Sequence, residues 1–402
     1  MRLHKSSRSL VVSPFLIMVL LYFVSNLYSA LGAIEDGGMM LEGVYFSLTP
    51  DSIIIAFCSQ IAVIIFLVVL YYIFYPGDRE RSLQFGSAVG IWLAVLQILY
   101  VCFNAYYGVN VAGSEKKEPA NSMLSYFFVF IPPDILFCII SVCIRSKKLM
   151  AANILIYLVS SIMRGWMGGL LIVVTIVACR FHPMRVKLRH ALGMIILFGL
   201  TILALPYLVE AKWAVRTNGS ISSVVDQVSD IGYFESLSAS VKYVGNRLQH
   251  VGHVALLVEN SSSISSDYDL NKFQPYWMDG LPQYALLKIL NSENVRLNTY
   301  MVSKFFGLAN PTWNTNPGMA GWFFVLGGGA IFYILYVFLL LGFSFYFIAR
   351  YAGGKLFLML ACFSIYYLFH GWIASYFNLA LYSVLVCFMA RSRFKLPAIK
   401  AD

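Results

Sequence analysis

The chain has 402 residues, of which 59% are hydrophobic and only 12% are charged. A typical soluble domain is about 45–50% apolar and about 25% charged, and a single soluble core rarely grows beyond about 250–300 residues. These proportions exclude a soluble enzyme, a disordered chain and a disulfide-stapled secreted module, and they predict an all-α polytopic membrane protein. We therefore attribute the net charge of +10 to loop charges that orient the chain in the membrane, and not to a nucleic-acid partner.

The apolar segments predict about ten membrane-spanning helices, and at most about 12. A span needs about 20 apolar residues, and three of the segments are shorter than that. The predicted spans are 13–32, 53–75, 86–105, 122–143, 149–163, 166–179, 191–209, 318–349, 356–370 and 373–390. The first is interpreted as a retained signal anchor, because its apolar run is longer than the usual 7–15 residues or so of a cleaved signal peptide.

The spans divide the chain into three predicted regions. Residues 1–209 form a bundle of about seven spans, residues 210–317 form one large loop, and residues 318–402 form a bundle of about three spans. In the last region, Gly327, Gly328 and Gly329 predict a break between a membrane-entry segment and a full span.

The distribution of Lys and Arg predicts how the chain is oriented. When the amino terminus is placed in the cytosol, every short cytosolic loop is basic, as in the loop at 180–189 with Arg180, Arg185, Lys187 and Arg189. Cytosolic loops of membrane proteins carry such an excess. Both termini are therefore expected in the cytoplasm, and the large loop on the outer face.

The clearest element of the large loop is an amphipathic helix predicted over 236–259. Apolar residues recur there at three- and four-residue steps: Val241, Val244, Leu248, Val251, Ala255 and Val258. Beside this stripe lie Asn246, Arg247, His250 and His253. One interpretation is a solvated polar face at the membrane interface. The other is an active-site face, on which Arg247 binds an anion and His250 or His253 is the general base. Spacing suggests no third ligand, so no metal site is predicted.

The end of the loop predicts a helix amino terminus at the outer membrane boundary. Asn316 is suited to the N-cap, and Pro317 to the first helical position. Free backbone N–H groups at such a terminus suit a diphosphate, although a simple capped span would have the same sequence.

Isolated charges mark the same side of the membrane. Arg164 lies between two apolar runs, where a charge at mid-membrane costs about 2.5–3.5 kcal/mol. It needs a hairpin tip, an anionic ligand or a partner, and Asp134 is a candidate partner. His370 is expected at the outer turn between the last two spans. Arginines there, with Arg216 and Arg247 in the loop, suit an anionic lipid headgroup, because a guanidinium binds phosphate through two bonds.

Four stretches of the chain resemble the bacterial O-antigen polymerases and the related enterobacterial common antigen polymerases. They are NSMLSYFFVFIPPDILF, SSIMRGWMGG, NRLQHVGHVALLVEN and NTNPGMAGWFFVLGGGA, in this order across much of 100–330. The order and the topology carry the resemblance, since no single motif is diagnostic.

The resemblance implies a C-type glycosyltransferase fold that acts at the periplasmic face of the bacterial inner membrane. Such an enzyme moves a growing glycan from undecaprenyl diphosphate onto a new lipid-linked repeat unit, so lipid-linked oligosaccharide is both donor and acceptor. The resemblance implies no metal, nucleotide sugar or other cofactor, and it implies a chain-length regulator protein as a partner. Arg164 and Arg247, and less directly Arg216, resemble the family's diphosphate contacts. His250 or His253 as the base is our hypothesis from this sequence.

Three other functions remain open at this point. O-antigen ligases, which transfer glycan to lipid A-core, look similar in architecture but tend to carry a histidine just before the late spans, where this chain reads NTNPG at 314–318. A lipid-linked glycan flippase or other transporter should show repeated halves and several charges within spans. A structural scaffold of an assembly complex is the third.

Overall fold

The computed structural model describes residues 13–77, 82–111, 123–183, 188–216, 224–283, 295–308 and 313–394. Six helical segments in these ranges are long and apolar enough to cross a membrane: Pro14–Glu35, Pro50–Phe74, Ser87–Tyr107, Met123–Cys143, Gly318–Tyr351 and Ile373–Ala390. Two shorter apolar helices, Gly168–Phe181 and Gly354–Phe369, accompany them. The expectation of a largely helical, membrane-embedded protein is confirmed.

The first region contains eight helices in its described part. They are α1 (Pro14–Glu35), α2 (Pro50–Phe74), α3 (Ser87–Tyr107), α4 (Met123–Phe130), α5 (Pro133–Cys143), α6 (Lys147–Met163), α7 (Gly168–Phe181) and α8 (Leu188–Arg216). The predicted span 122–143 is divided into α4 and α5 at Pro132, which is extended with ψ of 110°. A residue that precedes a proline avoids the helical conformation, and Pro133 follows.

A β-hairpin between α1 and α2 was not predicted from the sequence. Strands β1 (Gly38–Leu41) and β2 (Val44–Ser47) pair antiparallel, with Leu41 opposite Val44. The two residues of the turn, Glu42 and Gly43, have positive φ angles of 46° and 88°. A two-residue hairpin turn of this kind needs positive φ at both positions, and it carries the Glu42 carboxylate at its tip.

The large loop folds into short helices. Its described part contains α9 (Val224–Ile231), α10 (Tyr233–Leu248), α11 (Val251–Glu259), α12 (Ser261–Asp269), a 3₁₀ turn (Tyr276–Met278) and α13 (Leu297–Phe306). The single helix predicted over 236–259 is wrong, because the chain is non-helical at Gln249 and His250. The predicted apolar stripe is divided accordingly: Val251 is fully buried, whereas Val241 is 49% exposed.

The last region contains α14 (Gly318–Leu326), a 3₁₀ turn (Gly327–Gly329), α15 (Ala330–Tyr351), α16 (Gly354–Phe369) and α17 (Ile373–Phe394). The predicted break at the three glycines is confirmed. The rings of Trp322 and Tyr333 lie 6.1 Å apart, whereas eleven residues of straight helix would extend about 16 Å. The chain therefore bends between α14 and α15, where Gly327 has a φ of 51°. The α16 helix is buried along most of its length at the centre of the bundle.

The predicted N-cap at Asn316 is wrong. The α14 helix begins at Gly318, with Pro317 in the cap position and no side-chain cap. The side-chain oxygen of Asn316 instead accepts a hydrogen bond from the indole N–H of Trp372 at 2.7 Å. Asn316 thus ties the start of α14 to the turn that follows α16.

Candidate functional site

Three buried histidines meet at one end of the bundle. His250 lies in the break between α10 and α11, His253 on the first turn of α11, and His370 in the turn after α16. Their exposed fractions are 3%, 7% and 5%, respectively. The interpretation of His250 and His253 as part of a solvated polar face is therefore wrong. We call these three residues the histidine cluster.

A chain of two hydrogen bonds runs from His250 through His370 to the first helix. The Nε2 atom of His250 lies 2.5 Å from Nδ1 of His370, and the Nε2 atom of His370 lies 2.9 Å from the hydroxyl of Tyr22 on α1. Behind His370, the ring of Trp372 stacks at a centroid distance of 4.7 Å and an interplanar angle of 17°. The His370 ring is thus fixed by bonds to both nitrogens and by contact with its face.

Asn26 explains why the chain can break at His250. Its amide nitrogen donates to the carbonyl of Leu248 at 3.4 Å, and its amide oxygen accepts from the backbone N–H of His250 at 3.1 Å. These bonds replace two helical ones, so the break leaves fewer unsatisfied backbone groups. Asn26 is fully buried in α1, and it fixes the position of His250.

The histidine cluster also contains nitrogens without partners. Nδ1 of His250 and both ring nitrogens of His253 are buried, and none has a hydrogen-bond partner among the described residues. The rings of His250 and His253 are 5.9 Å apart. A buried polar group without a partner costs about 1–3 kcal/mol, so these atoms are suited to contact a ligand.

All three histidines are neutral at pH 7. Burial lowers the pKa of His250 well below 6.5, and the neighbouring histidines and Arg247 lower it further. Burial and the charge of Arg247 lower the pKa of His253 to about 4, and the same causes lower the pKa of His370 to about 3. A neutral imidazole is the form that accepts a proton.

A group of cations lies beside the histidine cluster. Lys212 and Arg216 come from the end of α8, and Arg247 comes from the end of α10. Lys212 donates to the hydroxyl of Tyr243, and the Lys212 ammonium and the Arg247 guanidinium lie 4.3 and 5.3 Å from the centre of the Tyr243 ring. We call Lys212, Arg216 and Arg247 the cationic cluster.

The cationic cluster has an excess of positive charge. In the described part of the chain its ion-pair partner is Glu42, whose two carboxylate oxygens each lie 3.2 Å from Arg247. Burial lowers the pKa of Lys212 to about 7, and the charges of Arg216 and Arg247 contribute. Arg216 and Arg247, together with Lys212 when it is protonated, outnumber the one carboxylate and attract an anion. Because Arg247 also depresses the pKa values of the histidines, the two clusters share one electrostatic environment.

Arg164 is next to the cationic cluster but is already paired. Its guanidinium binds both oxygens of Asp134 at 2.7 and 3.0 Å, and it is 7% exposed. The following residue, Gly165, has a φ of 62° and accepts a hydrogen bond from Nε of Arg216 at 3.2 Å. A side chain at Gly165 would meet Arg216 at 3.1 Å. The turn after α6 therefore packs against the end of α8. A direct contact between Arg164 and a diphosphate remains a prediction.

The structure thus brings together most of the residues that the sequence singled out, and it adds others. Sequence reasoning did not single out Tyr22, Asn26, Glu42, Lys212 or Tyr243. An asparagine inside an apolar span was a usable signal, because polar side chains are costly there. The remaining four gave no local signal, since their roles depend on contacts distant in sequence.

In the ranges that the structure describes, no group of three His, Cys, Asp or Glu side chains is placed to hold a metal ion.

Comparisons with known proteins do not add to this geometry. Comparison of the chain with known protein families, with characterised proteins and with solved structures finds no match.

Proposed function

We propose that this protein is a membrane glycosyltransferase that polymerises lipid-linked oligosaccharides. In this proposal it transfers a growing glycan from undecaprenyl diphosphate onto a lipid-linked repeat unit. The observation that carries the proposal is the position of a neutral histidine with an unpartnered nitrogen beside Arg216, Arg247 and Lys212, of which Arg247 is paired with Glu42. Glycosyl transfer from a lipid diphosphate needs both a base and stabilisation of a departing anion.

The cationic cluster is proposed to bind the diphosphate. When the bond between the anomeric carbon and the phosphate oxygen breaks, negative charge develops on the leaving group. Cations that are already in place stabilise that charge without reorganising. Arg216 and Arg247 can each present two N–H groups to phosphate, and Lys212 adds a further positive charge when it is protonated.

His250 is proposed to accept the proton of the attacking sugar hydroxyl. If His370 donates its Nε2 proton to the hydroxyl of Tyr22, its Nδ1 accepts the Nε2 proton of His250. Nδ1 of His250 then has a free lone pair. The acceptor oxygen bonds to the anomeric carbon, its proton moves to His250, and the bonding electrons leave with the diphosphate. His370 and Tyr22 position this base.

The lengths of the helices support a site recessed in the membrane. Three helices have one terminus next to the site: α6, α7 and α16, which have 17, 14 and 16 residues. At about 1.5 Å per residue they extend about 21–26 Å, less than the roughly 30 Å of a hydrocarbon core. Turns between such helices can lie below the bilayer surface, where a lipid diphosphate enters. We propose about ten spans, a C-type glycosyltransferase fold, cytoplasmic termini, and a site on the periplasmic face of the inner membrane.

Purified protein and lipid-linked repeat units test this proposal. We expect a ladder of glycan lengths in the presence of a metal chelator and without nucleotide sugar. Products that form only after addition of lipid A-core would identify a ligase instead. Transport of the lipid-linked unit across vesicles without any new glycosidic bond would identify a flippase.

A further inference from the structure

A cavity of about 220 Å³ lies at the ends of α3, α6 and α8. Its walls are mainly apolar and include Val101, Ala105, Val109, Met163 and Val215. A second cavity of about 80 Å³ shares Val109, and it is walled by the aromatic side chains of Tyr100, Phe103 and Phe128. Both spaces are lined partly by residues of α3.

Polar groups without partners line the larger cavity. The amide nitrogen of Asn104 and the hydroxyl of Ser160 are buried and have no hydrogen-bond partner among the described residues. Arg164 also lines the cavity, and its bonds to Asp134 and to the Ser160 carbonyl use three of its five N–H groups. An apolar cavity with hydrogen-bond donors at one end suits an amphiphilic molecule.

The cavity lies beside the cationic cluster. Val215, in its wall, directly precedes Arg216, and Arg216 is bonded to Gly165, the residue after Arg164. The excess positive charge is thus next to the polar end of the cavity. This charge favours an anionic head group, with the apolar part of the molecule in the cavity.

We infer that this cavity holds the first isoprene units of the lipid whose diphosphate is bound by the cationic cluster. The identity of this lipid as a prenyl diphosphate depends on the proposed function. A space of about 220 Å³ with mainly apolar walls suits the first part of a hydrocarbon chain.

Farnesyl diphosphate is the probe for this inference, and inorganic diphosphate is the matched probe without a hydrocarbon chain. Ala105 is an exposed residue that lines the cavity, so the indole of Ala105→Trp should obstruct it, and we expect at least about tenfold weaker binding of farnesyl diphosphate. Binding of inorganic diphosphate should stay unchanged. Ile98→Trp is the control, because Ile98 is an exposed residue on the same helix and does not line the cavity.

Three outcomes would overturn the inference: unchanged farnesyl diphosphate binding in Ala105→Trp, equal weakening of both probes, or equal competition by phosphatidylglycerol. Should Ala105→Trp fail to purify as a folded protein, Val101→Phe narrows the same cavity and carries the same expectation. An assay of glycan polymer length separates the proposed function from the inference about the cavity. A protein that shows the expected binding pattern but forms no glycan polymer would contradict only the proposed function.

Discussion

The Nε2 atom of His250 lies 2.5 Å from the Nδ1 atom of His370, although 120 positions separate them in the chain. This contact joins the break in the large loop to the turn after the central helix. It depends on Asn26, which holds the backbone on both sides of the break. A local irregularity of the loop is therefore part of the same unit as the centre of the bundle.

His250→Ala should abolish glycan polymerisation more completely than His253→Ala. A general base contributes about 10²–10⁴-fold to rate, and His250 is the histidine that is bonded to His370 and through it to Tyr22. We expect a loss of at least about 100-fold in His250→Ala and a smaller loss in Tyr22→Phe, which removes only the hydroxyl. Product length and rate with purified lipid-linked units measure both.

His182→Ala is the control for general effects of histidine removal, because His182 follows α7 and belongs to neither cluster. Full-length polymer at the normal rate from His250→Ala would contradict the role of this residue as the base. If His253→Ala alone lost activity, the base would be His253.

Glu42→Gln should strengthen binding of the lipid-linked donor. The Glu42 carboxylate holds both terminal nitrogens of Arg247 in the free protein, and a diphosphate must compete with it for the same N–H groups. Removing the negative charge should lower the KM for the donor several-fold, with little change in kcat. Glu35→Gln, at the exposed end of α1, is the matched control. A raised KM in Glu42→Gln would show that Glu42 holds Arg247 in the position that binds the donor, instead of competing with the diphosphate for Arg247.

The lowered pKa of Lys212 predicts that a rise in pH weakens donor binding but increases the free energy of unfolding. Because its pKa is lowered from 10.5 to about 7, it loses its charge as pH rises through 7, and the KM for the donor should rise. The unfolded chain keeps this proton up to about 10.5, so the free energy of unfolding should increase over the same range. Measurements of KM and of thermal unfolding between pH 6.5 and about 9 test both. Lys212→Arg should keep its charge and remove the rise in KM, whereas an unchanged rise would assign the pH dependence to another group.

The sequence was sufficient to predict the apolar helices and the candidate side chains, but it could not predict how these side chains are arranged in space. Periodicity cannot show that the helix over 236–259 is interrupted, because the interruption is stabilised by Asn26, more than 200 positions away. Composition indicates a charged loop without showing that Lys212 and Arg247 share Tyr243. The glycine break at 327–329 was predictable, since backbone flexibility is a property of those residues themselves.

The ion pair between Arg164 and Asp134 allows the structural and substrate-binding roles of Arg164 to be separated. Removing one partner of a buried pair leaves an uncompensated charge and costs about 3–5 kcal/mol. The cost should be somewhat less here, because the Asp134 side chain is 29% exposed. Arg164→Met and Asp134→Asn should therefore each lower the melting temperature. The double variant Arg164→Met, Asp134→Leu should recover much of this loss, because no charge is left unpaired.

If Arg164 acts only by holding the turn against Arg216, glycan polymerisation should recover together with stability. If the double variant is stable but inactive while Asp134→Asn, where folded, stays active, then Arg164 itself contacts the substrate, because the loss follows the missing guanidinium and not the missing carboxylate.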